Sequence, residues 1–129
     1  MKKKREKLEE LHRKMLTEIQ DFAIILLDRD GTVLSWNAGV QKINGYKENE
    51  VIGEHFRIFY LPDDRKSGLP EKLLNQAIKG CRVRHVGKRM RKDGTTFWGS
   101  IHITALHDES GEVIGFTKLT KELTDVEIL

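Results

Sequence analysis

Cysteine is almost absent from this chain. Its 129 residues include one, Cys81, which excludes an internal disulfide framework and a four-thiolate metal site and fits a reducing compartment. Long apolar runs are missing as well. Nothing approaches the roughly 18 consecutive apolar residues of a membrane span, and no secretory signal pattern is present, so a cytoplasmic location is expected. The chain has no Gly-rich nucleotide loop, no nucleophile beside a plausible base and no pair of metal ligands at a recognisable spacing. It is therefore not expected to be an enzyme, and no metal is expected. No internal repeat or low-complexity linker interrupts it.

What is present describes one globular domain. With 38% hydrophobic and 33% charged residues, the composition is ordinary, and the length is enough to bury a core without staples. The net charge of +3 is unevenly placed. Residues 1–14 hold seven basic residues against three acidic ones, so the remainder is slightly acidic. The basic character belongs to a leader, read as solvated charge at a helix start.

That leader has a helical stripe. Leu8, Leu11, Met15, Ile19 and Phe22 recur at spacings of 3, 4, 4 and 3, tracking the 3.6-residue period. A strict heptad seam would want its apolar residue at Glu18 rather than Ile19, so a long coiled coil is not indicated. The stripe must pack on the sheet of its own domain or on the same helix of a second copy. A homodimer through Leu8, Leu11, Met15 and Ile19 is expected. His12 reads as a solvated helix residue.

From residue 22 the pattern changes. "AIILLDRDGTVLSW" is a strand, a turn at Asp30-Gly31 and a second strand. Short helical pieces follow: "NAGVQKINGY", closing at Asn44-Gly45; "KENEVIG", closing at Gly53; and "PDDRKSGLPEKLLNQAIKG". In the last, Pro70 stands in the first turn, Leu73, Leu74, Ala77 and Ile78 share a face, and Gly80 follows the end. The acids Glu48, Glu50, Glu54, Asp63 and Asp64 read as solvated helix starts. Three strands complete the chain, Arg82–Arg91, Thr95–His107 and Glu112–Lys121, joined by connections short enough for antiparallel hairpins. The order is that of an α+β fold, an antiparallel sheet with helices on one face. Three segments are expected: residues 1–21 an amphipathic helix, 22–122 the domain, and 123–129 the start of a C-terminal linker.

Two features of the strands bear on function. In "RKDGTTFWGSIHITAL", Phe97, Gly99, Ile101, Ile103 and Ala105 alternate with polar neighbours, so one apolar face is broken in its middle by a glycine that fills nothing. Either neighbouring side chains close that gap or the face lines a cavity. The run "RVRHVGKRMRK" carries Arg82, Arg84, Lys88, Arg89, Arg91 and Lys92. It has no aromatic to stack a base, so it reads as a charged, solvated edge strand and not as a nucleic-acid site.

The Asp-Gly turn before "SWN", then "GYKENEVIG", "KDGTTFW" and the closing "KELT" together resemble the PAS domains of bacterial and archaeal sensory proteins. The resemblance covers about residues 22–126. It implies a five-stranded antiparallel sheet whose inner face is cupped by helices, in a sensory or dimerising module upstream of an output domain such as the histidine kinase of a two-component system. Flavin-binding photosensory members are similar at "GEHFRIFY", where Phe56 stands in place of their reactive cysteine and His55 in place of an asparagine. Their Phe-Trp-Asn strand motif is similar to Phe97-Trp98-Gly99, so the amide that bonds the flavin edge is missing. Cys81, near the start of another strand, is no substitute. Covalent flavin chemistry is not expected. Haem-binding members ligate iron through a histidine on the helix matching residues 70–79, which has none here; His85 and His102 read as strand residues, and haem is not expected.

The resemblance also places Phe116, Lys118 and Thr120 inward on the last strand. The candidate inner pocket is then Ile25, Leu27, Phe56, Phe59, Leu74, Ile78, Phe97, Gly99, Ile101, Ile103, Phe116, Lys118 and Thr120. Lys118 is its unusual member, because an ammonium in an apolar cup is expensive unless paired. It meets a ligand carboxylate, or pairs with a protein acid, or the facing is off by one. The closing segment resembles an Asp-x-Thr signalling junction, with Glu122 replacing the aspartate and Thr124 retained. Two functions stay open. One is a sensor that binds a small organic ligand in the cup and relays its state to an output domain. The other is a ligand-free relay or dimerisation module with a filled core, using the leader and the outer sheet face, with Trp98 and Leu119 as contacts.

Overall fold

A computed structural model describes residues 2–128. Helix α1 (Lys2–Glu18) leads into strand β1 (Ala23–Asp28) and a short β2 (Val33–Ser35). Four short helical pieces follow: α2 (Ala38–Asn44), α3 (Glu48–Val51), a 3-10 turn (Phe56–Phe59) and α4 (Pro62–Lys66). Then come α5 (Leu69–Gly80), β3 (Arg82–Met90), β4 (Thr96–His107), β5 (Val113–Glu122) and α6 (Asp125–Ile128). The strands form one antiparallel sheet in the order β2-β1-β5-β4-β3. The expected α+β architecture is present.

Local chemistry sets the turns. Asp28 Oδ1 accepts from the backbone N–H groups of Asp30 and Thr32, each at 2.9 Å. Asp108 Oδ1 does the same for Ser110 and Glu112, at 2.8 and 3.0 Å. Each aspartate thereby closes an Asx-type turn that a glycine at positive φ completes, Gly31 or Gly111. The aspartates hold two of the three hairpins in register.

The inner face of the sheet follows strict alternation. Ala23, Ile25 and Leu27 of β1, Phe97, Ile101, Ile103 and Ala105 of β4, and Phe116, Lys118 and Thr120 of β5 are all buried. Cross-strand pairing puts Ile25, Lys118 and Ile103 in one row, and Leu27, Phe116 and Ala105 in the next. The 3-10 turn and α5 cover them with Phe56, Phe59, Leu73, Leu74 and Ala77.

Three expectations need correction. Ile78 is 44% exposed. The buried face of α5 is Pro70, Leu73, Leu74 and Ala77, and one further residue at about 100° turns Ile78 off that stripe. The same helix includes Gly80, and Cys81 takes the left-handed capping position at φ 70° that Gly80 was expected to supply. Finally, β3 is an edge strand, with Arg82, Arg84 and Lys88 exposed, but Arg89 is only 1% exposed. It shares the inward phase of Val83, His85 and Gly87, opposite to that of its basic neighbours.

The Leu8–Leu11–Met15 stripe of α1 does not pack on the sheet, whereas Leu16, on another face, is half-buried in a cleft shared with Leu34, Ser35 and Trp36. Leu8, Leu11 and Met15 are 54%, 52% and 51% exposed, and Ile19 37%. Its tether to the domain is Asn37, fully buried, whose Oδ1 accepts from Ile24 N at 2.7 Å while Nδ2 donates to the carbonyls of Ile19 and Phe22 at 2.9 and 3.0 Å. Beside it α2 crosses β1 so closely that a Cβ on Gly39 would lie 1.8 Å from the Phe22 carbonyl oxygen.

Candidate ligand cup

The cup is floored by β1, β5, β4 and β3 and roofed by the 3-10 turn and α5. Its apolar wall brings together Ile25, Leu27, Phe56, Phe59, Leu74, Phe97, Ile101, Ile103 and Phe116, all buried. Phe56 packs edge-on against Tyr60, ring centroids 5.5 Å apart. At Gly99, a Cβ would sit 3.1 Å from Ile101 Cδ1 and 3.3 Å from Phe97 Cε2. The gap in the apolar face is therefore closed by the two residues flanking it on the same strand.

Lys118 faces inward, which removes the possibility of an error in facing. It is 1% exposed, and its Nζ sits 4.5 Å from the centroid of the Phe59 ring. The ion pairs among the described residues engage Lys42, Arg57, Arg91, Lys92 and Lys121, so Lys118 is not paired with a protein acid. Burial, reinforced by the nearby charge of Arg89, pulls its pKa down to about 7.

Arg89 is the second buried cation, and the sequence reading missed it. Its guanidinium lies over the Tyr60 ring at 4.2 Å. Nη1 donates to the Lys88 carbonyl at 3.1 Å and Nη2 to His85 Nδ1 at 3.2 Å, while Nε has no hydrogen-bond partner among the described residues. Burial lowers the Arg89 pKa, opposed by Tyr60 and Asp64. Burial and the Arg89 charge both lower the pKa of His85, which fits a neutral ring accepting through Nδ1. Thr120 Oγ1 is also buried without a partner among the described residues, and burial pushes the Tyr60 phenol up to about 12 against the opposing interaction with Arg89. A readable signal for Arg89 existed. Gly87 faces Gly99 across the strands, and Arg89 faces Phe97, so it had to share their side of the sheet.

His55, in the place of the photosensory asparagine, is a structural link. It bonds the Asp30 carbonyl through Nε2 at 2.8 Å and accepts from Arg57 N through Nδ1 at 3.1 Å, capping the 3-10 turn. Phe56 beside it is fully buried, and Cys81 is exposed at the end of α5. These residues do not fit thiol-adduct flavin chemistry. Among the described residues, no group of three His, Cys, Asp or Glu side chains converges to hold a metal ion.

At the exit, Glu122 pairs across the sheet with Gly99. Its carboxylate takes Arg91 Nη2 at 2.6 Å. The Arg91 guanidinium lies 4.7 Å from the Phe97 ring centroid, and its Nε donates to the Ile43 carbonyl at 3.1 Å. One arginine thus touches the cup wall, α2 and the junction. Thr124 and Glu127 then start α6 reciprocally, Thr124 N donating to Glu127 Oε1 at 3.1 Å and Glu127 N to Thr124 Oγ1 at 3.3 Å.

The sequence matches the PAS fold family over residues 10–118. The chain belongs to the PAS family. This PAS domain is 37% identical over 118 residues to two-component system protein A of Emericella nidulans, a match covering 92% of this chain and 17% of that protein. It is 28% identical over 97 residues to phototropin-2 of Oryza sativa subsp. japonica, covering 74% of this chain and 10% of that one. It therefore spans under a fifth of the length of these relatives. The PAS domain of a protein from Colwellia psychrerythraea superposes with a TM-score of 0.81 at 18% identity, covering 91% and 98% of the two chains. Among the described residues no helix is long and apolar enough to cross a membrane.

Proposed function

We propose that this PAS domain is the sensory module of a signalling protein, binding a small molecule in its inner cup and relaying the bound state through Glu122 and α6 to an output domain. The observation that carries the reading is a set of buried polar groups in one apolar cup: Lys118 and Arg89, each 1% exposed and in no ion pair among the described residues, and Thr120 Oγ1, which has no hydrogen-bond partner among them. Buried polar atoms are normally satisfied, and exceptions concentrate where something else completes them. A histidine-kinase output in a two-component system is favoured by the similarity to two-component system protein A. The domain has no catalytic role of its own in this reading. The exposed stripe of α1 supports a homodimer, in which Leu8, Leu11, Met15 and Ile19 meet the same residues of a second copy.

The closed gap at Gly99 favours a second reading, a relay module whose core is full. Native mass spectrometry of the purified protein separates the two. A mass excess that vanishes on denaturation is the expected result. A bare polypeptide mass, together with no thermal shift from any small-molecule probe, overturns the sensor reading in favour of the filled core.

A further inference from the structure

We propose that the outer edge of β3 docks an extended acidic segment of a partner protein, which continues the sheet as a further strand and sets its carboxylates beside Arg82, Arg84 and Lys88. The inference is independent of what the cup holds.

The backbone is the first argument. Strand β3 stands at one end of the sheet and pairs with β4 alone. Its ladder is uninterrupted, and the bonds just beyond its two ends fix the phase: Ala105 N donates to the Cys81 carbonyl and Arg91 N to the Thr95 carbonyl, each at 2.8 Å. The odd-numbered residues of β3 therefore exchange hydrogen bonds with β4, and the N–H and C=O groups of Arg82, Arg84, Val86 and Lys88 point away from the sheet. The Lys88 carbonyl accepts from Arg89 Nη1 at 3.1 Å. Among the described residues, no backbone group outside the ladder bonds to the others. The side chains of this row face solvent: Arg82, Arg84 and Lys88 are exposed and Val86 is 45% exposed. A row of unpaired donors and acceptors is a template for one more strand.

Charge selects the occupant. Arg82, Arg84 and Lys88 join no ion pair among the described residues. Arg84 Nε donates to Ser100 Oγ at 3.4 Å, and Lys88 Nζ lies 5.7 Å from the Trp98 ring centroid, so both lean on uncharged neighbours. A second copy is a poor occupant. In the register that sets Val86 against Val86 of that copy, Arg84 faces Lys88 twice, and like charges directly opposite are destabilising. A strand with acids opposite Arg84 and Lys88 and an apolar residue opposite Val86 reverses the sign of both pairs and covers the valine. Its spacing is acid-x-apolar-x-acid, because side chains on one face of a strand recur at every second position. In such strand addition the main-chain bonds supply affinity and the alternate side chains specificity. A nucleic acid offers negative charge without the alternating N–H and C=O groups that the edge requires.

Fluorescence anisotropy with a labelled, end-capped peptide, Thr-Glu-Thr-Val-Thr-Glu-Thr-Glu, tests the assignment on the whole chain. Three relatives of the peptide serve as controls: one with lysine for every glutamate, one N-methylated at the valine and glutamate amides that would bond the edge, and one N-methylated at the threonine amides that would face away. The acidic peptide is expected to bind at least tenfold tighter than the lysine peptide and than the edge-methylated one, with the threonine-methylated one retaining its affinity. Hydrogen exchange followed by NMR should show the Arg84 and Val86 amides gaining at least tenfold protection in the complex. Arg84→Glu with Lys88→Glu, checked for native circular dichroism, should lose tenfold or more for the acidic peptide and gain as much for the lysine peptide, a reversal that misfolding does not produce. Equal binding of the edge-methylated peptide would reduce the edge to a patch of charge and overturn the strand addition. An oligothymidylate of equal charge that binds as tightly as the acidic peptide would assign the patch to nucleic acid instead. Absence of binding by the acidic peptide at millimolar concentration also overturns the proposal, and leaves the reading of the cup untouched.

Discussion

Lys118 is a buried base whose folded pKa of about 7 lies well below the 10.5 of an exposed lysine. Between those values the unfolded chain holds more protons than the folded one, so stability must rise with pH from about 7 toward 10. The burial penalty is fully present below 7. His55 and His85, also lowered chiefly by burial, add the same sign below their ordinary range. Above about 10 the trend ends, because Tyr60 ionises less readily folded than unfolded. Calorimetric melting of ligand-free protein at pH 7 and pH 9 should show the higher melting temperature at pH 9. Lys118→Met should raise ligand-free stability by about 1–4 kcal/mol and flatten that pH dependence. A variant that melts lower, with the slope intact, would show that Lys118 is not the group responsible. Asn37 gives the opposite case: its three hydrogen bonds to buried backbone make Asn37→Ala destabilising by roughly 2–4 kcal/mol in urea unfolding, since each orphaned group costs about 1–3 kcal/mol.

Elements were legible to the extent that alternation and turn chemistry speak for themselves. The phase of β4 follows from Phe97, Ile101 and Ile103; on β5 alternation groups Phe116, Lys118 and Thr120, and it was the resemblance to PAS domains that turned this group inward, where the structure has it. The same logic was available on β3, but its charges masked it: a run of basic residues reads as solvated although every second side chain points inward. Arg89 is inside because it shares the inward phase of Gly87, where a Cβ would lie 3.4 Å from Arg89 Nη1, and because it pairs with Phe97 on the neighbouring strand. Tyr60 and Asn37 were illegible for a related reason, since their roles depend on contacts with β3 and with the end of α1. At the junction, Arg91 and Glu122 form the element-level link between cup and exit. The pair is partly exposed, so Glu122→Gln should change stability by less than about 1 kcal/mol. In a chain fused to its output domain, the same substitution should uncouple ligand from output while calorimetry shows ligand affinity retained. Parallel loss of affinity would assign Glu122 to the cup instead.

For the whole molecule, the proposed homodimer is tested at the leader. Three exposed apolar side chains in a row on α1, Leu8, Leu11 and Met15, have no surface of their own domain to cover. Sedimentation equilibrium of the wild type should give a dimer, and Leu11→Glu with Met15→Glu a monomer whose melting temperature moves little. A wild-type monomer would leave the leader free for another partner.

Ala23 at the start of β1 pairs with Thr120 near the end of β5, and Gln20, Asp21 and Phe22 share a surface cleft with Lys121, Glu122 and Thr124. The strand that receives the chain from α1 and the strand that releases it to α6 are thus neighbours in the middle of the sheet. Topologically the domain is a bead hung on a nearly continuous thread: splicing it into a helical rod, or cutting it out, leaves the two cut ends almost touching. Because β1 and β5 are hydrogen-bonded neighbours, the chain enters and leaves the domain on adjacent strands.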